Sequence, residues 1–264
     1  MTMTQPSSPT SNFSIQPCTH SDLPGMLSVY KSAFQTDPFR LARWPESQVP
    51  HSVFDTWLTN IFTKYLTTPH TQCWKVVEAS TGHIAGWTHW AEPHTMSDEE
   101  TAQGKREDEQ EEREGKERGE PEGRFPVGSV MHVCEAKVEG WDDLRERWYR
   151  KEDMYFIHFL SISLSHQNLG LGSLLLTAIT QVADANTDTT AQQKPYPIYL
   201  EATVAGYPVY VKHGFVEKGV MEVDLGFYGV GRNWAMVRGV RIVRGRVVGE
   251  EMRGEERRRG GYSD

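Results

Sequence analysis

The chain has 264 residues, 38 % hydrophobic and 11 % aromatic, and 36 Asp and Glu against 28 Lys and Arg leave a net charge of −8. That is apolar material for one large domain or two small ones of roughly 100–200 residues each, and it excludes a chain disordered throughout. The three cysteines, Cys18, Cys73 and Cys134, lie far apart with no Cys-x-x-Cys, which excludes a disulfide-built scaffold and a cysteine-rich zinc module.

Residues 1–12 are rich in Thr, Ser and Pro and are expected as a loose tail. The tail has no apolar signal core and the sequence has no apolar run of about 18 residues, so neither secretion nor a membrane span is expected. Cytoplasm, with nucleus as the alternative, is the expected compartment. Phe13 to Pro17 reads as a short edge strand. Thr19 to Asp22 offers capping side chains ahead of Leu23, Met26, Leu27, Tyr30 and Phe34, whose spacing marks one face of a helix. Gln35 to Pro50, with three Pro and the aromatics Phe39 and Trp44, is expected as a loop. A second amphipathic segment follows, carrying Phe54, Trp57, Leu58, Ile61, Phe62 and Tyr65.

Trp74 to Ala79 and Ile84 to Trp90 read as strands joined by the turn Ser80 to His83. Residues 97–124 then hold twelve acidic and six basic side chains, so six of the eight excess negative charges lie there. Ala102 is the segment's only residue of the hydrophobic set, and so little apolar surface predicts a disordered, solvated insertion. Trp141 to Lys151 reads as a charged helix, Tyr155 to Leu164 as a central strand, and Leu171 to Ala185 as a strongly amphipathic helix. Ile198 to Ala202 reads as a strand and Val204 to His213 as a helix with Pro208 in its first turn. Phe215 to Asp224 and Asn233 to Gly239 read as a final antiparallel pair. From Val240 onward Arg, Gly and Glu alternate, so 241–264 is expected as a flexible tail. The order predicts one α/β domain over 13–240, interrupted by the charged insertion.

The chemistry is concentrated in Leu160 to Ser173, where an apolar strand runs into Gln167-Asn168-Leu169-Gly170-Leu171-Gly172 and directly onto a helix. Glycines there let backbone approach a bulky anion, and the free N–H groups of a helix start, aided by its dipole, favour negative charge. A pyrophosphate is the natural guest. No Lys follows Gly172, as a P-loop requires, and the spacing is not Gly-x-Gly-x-x-Gly. Gly226, Gly229 and Gly231 precede no apolar helical run and read as a turn.

Gln-x-x-Gly-x-Gly between a strand and a helix resembles the signature of the GNAT superfamily of N-acetyltransferases. Pro197 to Ala202 looks like that family's next strand, and Val209 to Phe215 like the Tyr-x-x-x-Gly-Phe ending of its last helix. The resemblance covers about 155–238 closely and the first hundred residues through element order. It implies a central mixed, mostly antiparallel sheet flanked by helices, and transfer of an acetyl group from acetyl-CoA to an amine by direct attack in a ternary complex. A primary amine of a small molecule is favoured over a peptide, because no peptide-reading module is evident. The alternative is a non-catalytic acyl-CoA-binding or interaction module of the same fold.

By the same resemblance, the main chain of Leu160, Ser161 and Ile162 would pair with the pantetheine arm. The segment Gln167, Asn168, Leu169, Gly170, Leu171, Gly172 and Ser173 would hold the pyrophosphate. Tyr210 would protonate the departing thiolate. His158 is the candidate base: arylalkylamine-type members carry histidine there and route the proton through water. In a regular strand it would share a face with Leu160. Glu201 is the second candidate base. Each has a plain alternative: His158 as a packing residue, Tyr210 as a cap on the core, Glu201 as an ion-pair partner. Phe156 stands where histone-type members place a glutamate base, which tells against that version of the mechanism. Thr203 replaces an asparagine common after the second strand, so one side-chain bond to the cofactor is altered. Asp37, Phe39 and Trp44 are placed, from element order alone, as acceptor-pocket residues. His83, His89 and His94 lack metal-ligand spacing, and no metal is expected. Arginines 253 and 257–259 are blunted by interleaved glutamates, so no nucleic-acid partner is expected.

Overall fold

The computed structural model describes residues 10, 12–186, 195–239, 241–243 and 246–248. Parts of the expected tails, 1–9, 11, 240, 244–245 and 249–264, lie outside the described residues. The chain opens with β1 (Phe13–Pro17), then α1 (Leu23–Ala33), α2 (Pro38–Arg43) and α3 (His51–Thr67). The strands β2 (Thr71–Glu78) and β3 (Ile84–Ala91) form the expected hairpin. Two helices follow, α4 (Asp98–Glu117) and α5 (Met131–Trp148), and then β4 (Tyr155–Ile162), α6 (Leu171–Ala185), β5 (Ile198–Ala202) and α7 (Tyr207–Lys212). The domain closes with β6 (Val216–Asp224) and β7 (Val230–Arg238). A small separate ladder, β8 (Arg241–Val243) with β9 (Arg246–Val248), occupies part of the segment expected to be loose.

Strands β1 to β7 make one mixed sheet in the order β1-β2-β3-β4-β5-β7-β6. Only β4 and β5 run parallel among the described strands, and they are joined through α6. Their pairing lasts three residues, Tyr155 with Ile198 to Ile157 with Leu200. Beyond that point β4 keeps β3 as its neighbour and β5 keeps β7, and the two strands diverge. From His158 to Ile162 the main chain of β4 therefore has a strand partner on one side only. This opening in the middle of the sheet positions the cleft described below.

Helix α6 covers one face with Leu171, Leu175, Leu176, Ile179 and Ala183, all buried against Val76, Ile157 and Leu200. On the other face, α1 and α3 pack Met26, Tyr30, Phe54 and Phe62 on Trp87, and α5 packs Val133 and Leu144 near Phe156 and Tyr199. Burying a side chain of this size contributes about 1.5–3 kcal/mol, so both layers are needed to hold a sheet opened at its centre.

Three expectations change. The stretch 35–50 is not all loop: Asp37 accepts the Arg40 amide at 2.8 Å and Pro38 starts α2, so the proline initiates a helix rather than breaking one. Helix α5 begins at Met131, ten residues before the expected start, and ends at Trp148. The segment 97–124, expected as disordered, holds α4. Ser97 and Glu100 form a reciprocal capping box, and Gln103–Glu107 and Gln110–Glu114 bond along the helix. Gly115 is its sole buried residue, so it is still a solvated insertion.

Candidate active site

A cleft of about 730 Å³ enters the sheet where β4 and β5 part. One end is built by β4, the turn after it, the start of α6 and α7. Asn168 and Gly170 take positive φ, 62° and 81°, which turns successive main-chain amides toward the cleft ahead of the helix. Among the described residues, no acceptor is recorded for the N–H groups of Asn168 to Ser173; the first recorded bond of the helix is Leu174 N–H to Gly170 at 2.9 Å. A Cβ on Gly172 would meet only Leu160 and Ile162 side-chain atoms at 3.9 Å, so the protein itself leaves this position roomy. Gln167 also lines the cleft and donates from Nε2 to the Ile162 carbonyl at 3.2 Å.

Leu160, Ser161 and Ile162 line the same end, along the unpaired edge of β4. Two buried polar atoms there, Ser161 Oγ and Asn233 Oδ1, lack a partner among the described residues. Asn233 donates its amide to the Ala202 carbonyl at 3.2 Å, at the end of β5. Thr203 receives the Gly206 amide at 3.3 Å, closing the turn into α7. A cradle of free amides, an open strand edge and two orphaned polar atoms fit an extended pantetheine carrying a pyrophosphate. Leu169, in contrast, is not part of the cleft wall.

Tyr210, on α7, is 9 % exposed and lines the cleft with no recorded partner for its hydroxyl. Burial pushes its phenol up to about 12, so it stays protonated and able to donate at neutral pH. His158 lies at the centre of the opening. His89 pairs with Phe159 and Trp90 with Ile157, so His158 is the extra residue of a β-bulge. The bulge overturns the regular-strand expectation: Leu160 packs toward α6, whereas His158 stacks on Phe156 at 3.9 Å and on His89 at 4.9 Å. The His158 side chain is exposed to water in the cleft, which lies deep in the opening of the sheet. This depth, reinforced by His89, Arg145 and Lys151, holds the imidazole well below its ordinary value and therefore neutral.

Glu201 occupies the cleft wall but is already engaged. Arg145 holds both carboxylate oxygens, at 2.8 and 3.2 Å, and the Tyr199 hydroxyl donates to Oε1 at 2.9 Å. The ion-pair alternative describes it. Asp37 and Trp44 line the far end of the cleft, Asp37 also capping α2. Phe39 does not reach the cleft wall: it is 3 % exposed and belongs to the core beneath, against Gly231 of β7.

Sequence reasoning missed Arg43 and Lys137, which line the same far end and are 6 % and 7 % exposed. The signal was present for Lys137: it falls among Val133, Cys134, Trp141 and Leu144 at three- and four-residue intervals, a lysine in an apolar helical stripe. Among the described residues, no group of three or more His, Cys, Asp or Glu is placed to hold a metal ion, and no helix is long and apolar enough to cross a membrane.

No family model matches this sequence, and no curated protein does. Solved structures align over most of the chain. An acetyltransferase from Corynebacterium glutamicum, described as histone acetyltransferase HPA2 and related acetyltransferase, is 18 % identical with a TM-score of 0.47, over 86 % of this chain and 96 % of that one. The ribosomal-protein-S18-alanine N-acetyltransferase of Escherichia coli is 12 % identical with a TM-score of 0.44, over 86 % and 92 %. The paia N-acetyltransferase of Thermoplasma acidophilum, solved with coenzyme A, is 9 % identical with a TM-score of 0.43, over 86 % and 98 %.

Proposed function

We propose that this chain is an acetyl-CoA-dependent N-acetyltransferase acting on a primary amine of a small molecule. The observation that carries the proposal is the parting of β4 and β5 directly beside a helix start with free amides. An extended arm can add to the open edge of β4 as a strand would, while its pyrophosphate meets the amides of 168–173. The cleft then has a second, aromatic end at which an amine can approach the same point.

At that point the reaction needs two proton movements. The amine nitrogen bonds to the thioester carbon and must lose a proton. The C–S bond breaks and the leaving sulfur gains one. His158, neutral and open to the cleft, accepts the first directly or through water. Tyr210, protonated and with no competing acceptor, donates the second. The products are an amide and the free thiol, and solvent restores both side chains. Glu201 serves to fix Arg145 beside Phe156 rather than to take the proton.

The test offers acetyl-CoA and a panel of primary amines to the full-length chain and follows free thiol. Turnover with at least one amine is expected. Thermal stabilisation by coenzyme A without turnover of any amine would instead identify a binding module.

A further inference from the structure

The end of the cleft away from α6 is unusual in its polarity. Four cations line the cleft, Arg40, Arg43, Lys137 and Arg145, against two carboxylates, Asp37 and Glu201. Arg145 is spent on Glu201, and Arg40 reaches Glu46 at 3.2 Å. Arg43 and Lys137 have no carboxylate bonded to them among the described residues. Arg43 Cζ lies over Trp44 at 4.1 Å, and Lys137 Nζ sits over Phe39 at 3.9 Å and Trp141 at 4.6 Å. Aromatic faces soften the cost of burying a cation but supply no hydrogen-bond acceptor.

The orphaned polar atoms agree. Arg40 Nε, Arg43 Nε, Trp44 Nε1 and Trp141 Nε1 are buried donors with no acceptor among the described residues. No orphaned acceptor belongs to a residue lining this end. Native structures pair nearly all such groups, so a cage of donors asks for a ligand of acceptors. The titratable groups facing Lys137 are Arg43 and Asp37 from the α2 side, the Cys134 thiol on its own helix and Glu201 from β5. Burial, with Arg43, pulls its ammonium down to about 7, so a bound anion would restore the full charge.

This is not the pyrophosphate end. Helix α5 packs around Phe156, near the start of β4, whereas α6 begins beyond Ile162. Six residues of strand separate the two by roughly 20 Å.

We infer that the amine acceptor also carries an anionic group, a carboxylate in the simplest case, which Arg43 and Lys137 hold. The acceptor class is then an α-amino acid or a close relative with an apolar body, lying against the rings of Trp44, Trp57 and Tyr65. The inference rests on the acetyltransferase reading and adds its substrate class.

Matched pairs test it: phenylalanine with 2-phenylethylamine, tryptophan with tryptamine, leucine with isopentylamine, each offered with acetyl-CoA while thiol is followed. The phosphonate analogue of phenylalanine separates a carboxylate from a phosphate-type anion. In at least one pair the acid is expected to show a KM at least about tenfold below its decarboxylated partner, a difference of about 1.4 kcal/mol. Lys137→Met is expected to collapse that ratio toward one, and Arg43→Lys, the gentler change, to reduce it. A second readout needs no turnover: quenching of tryptophan fluorescence by N-acetylphenylalanine against N-acetyl-2-phenylethylamine. Preference for the acid there supports the anion site even if no amine is acetylated, an outcome that would remove the acetyltransferase reading alone. Equal or better use of the amines lacking a carboxylate overturns the inference, as does no binding of any acid. A ratio unmoved in both variants overturns the assignment to these two residues. Preference for the phosphonate over the carboxylate overturns the amino-acid class.

Discussion

At Tyr210 and His158 the same physical effect, a surround of low-dielectric protein, acts in opposite chemical directions. It disfavours the charged form of each, so the phenol keeps its proton and the imidazole, though it meets water in the cleft, stays without one. For the proposed acid–base pair these are the two states that the proposed transfer needs at its start. Tyr210→Phe should lower kcat about a hundredfold while changing stability by less than about 1 kcal/mol, because the hydroxyl has no recorded bond to lose. Steady-state kinetics beside thermal unfolding checks both. The pH dependence follows by sign. Tyr210 stops donating only above its raised value of about 12, and His158 stops accepting only below its lowered one. In wild type, kcat at saturating substrates should therefore be flat from about pH 6.5 to about pH 10. An acid limb centred near 6.5 would show an ordinary, solvent-like histidine instead.

The sequence places His158 in the central strand but does not set the direction in which it faces. A strand's alternation is a local property and put His158 and Leu160 on one face. The bulge that separates them depends on how β4 registers with β3, which no local pattern encodes. Lys137 shows the complementary case. Its place in an apolar helical stripe was visible, yet its chemical meaning needs Arg43 from a helix about ninety residues earlier.

Among the elements, Gly86 of β3 and Gly172 at the start of α6 stand in contrasting surroundings. A Cβ on Gly86 of β3 would come within 2.4 Å of Ile162 Cδ1 and 2.8 Å of the Ser161 carbonyl oxygen. A Cβ on Gly172 would make ordinary contacts only. Gly86→Ala should cost about 1–3 kcal/mol by overpacking. Gly172→Ala should unfold at the wild-type temperature and yet raise the KM for acetyl-CoA about tenfold, since the methyl occupies the approach of the pyrophosphate. Calorimetry and initial rates on the two variants would separate these effects. Equal stability losses would place Gly172 in the packing instead.

On the scale of the whole molecule, the acidity belongs to an attachment. Helix α4 carries most of the excess charge and buries one glycine. It is tied down by Lys64, which reaches Asp108 and Glu111 at 3.2 and 2.7 Å, and by the Trp57 indole donating to the Arg124 carbonyl at 2.9 Å. Exposed ion pairs contribute about 0–1 kcal/mol, so Lys64→Ala should leave global unfolding nearly unchanged. Amide exchange over 98–117 should nevertheless quicken, since opening of this helix is local. A large loss of global stability would mean that α4 is part of the core.

What the sequence by itself determined is what is written contiguously: the strands, the long helices and the glycine-bearing start of α6. A strand's period, a helical stripe and an anion cradle each need only neighbouring residues. The capped helices α2 and α4 are written there too, in Asp37-Pro38 and in Ser97 with Glu100, although the prolines and the charge around them point the other way. Only the tertiary structure decided the cationic end of the cleft. Its donors come from α2, Trp44 and α5, and they meet because β4 and β5 part and α5 packs beside Phe156 and Tyr199 at the opening. Burial then gives Arg43 and Lys137 their chemical weight, and burial is a property of the packed chain rather than of any segment within it.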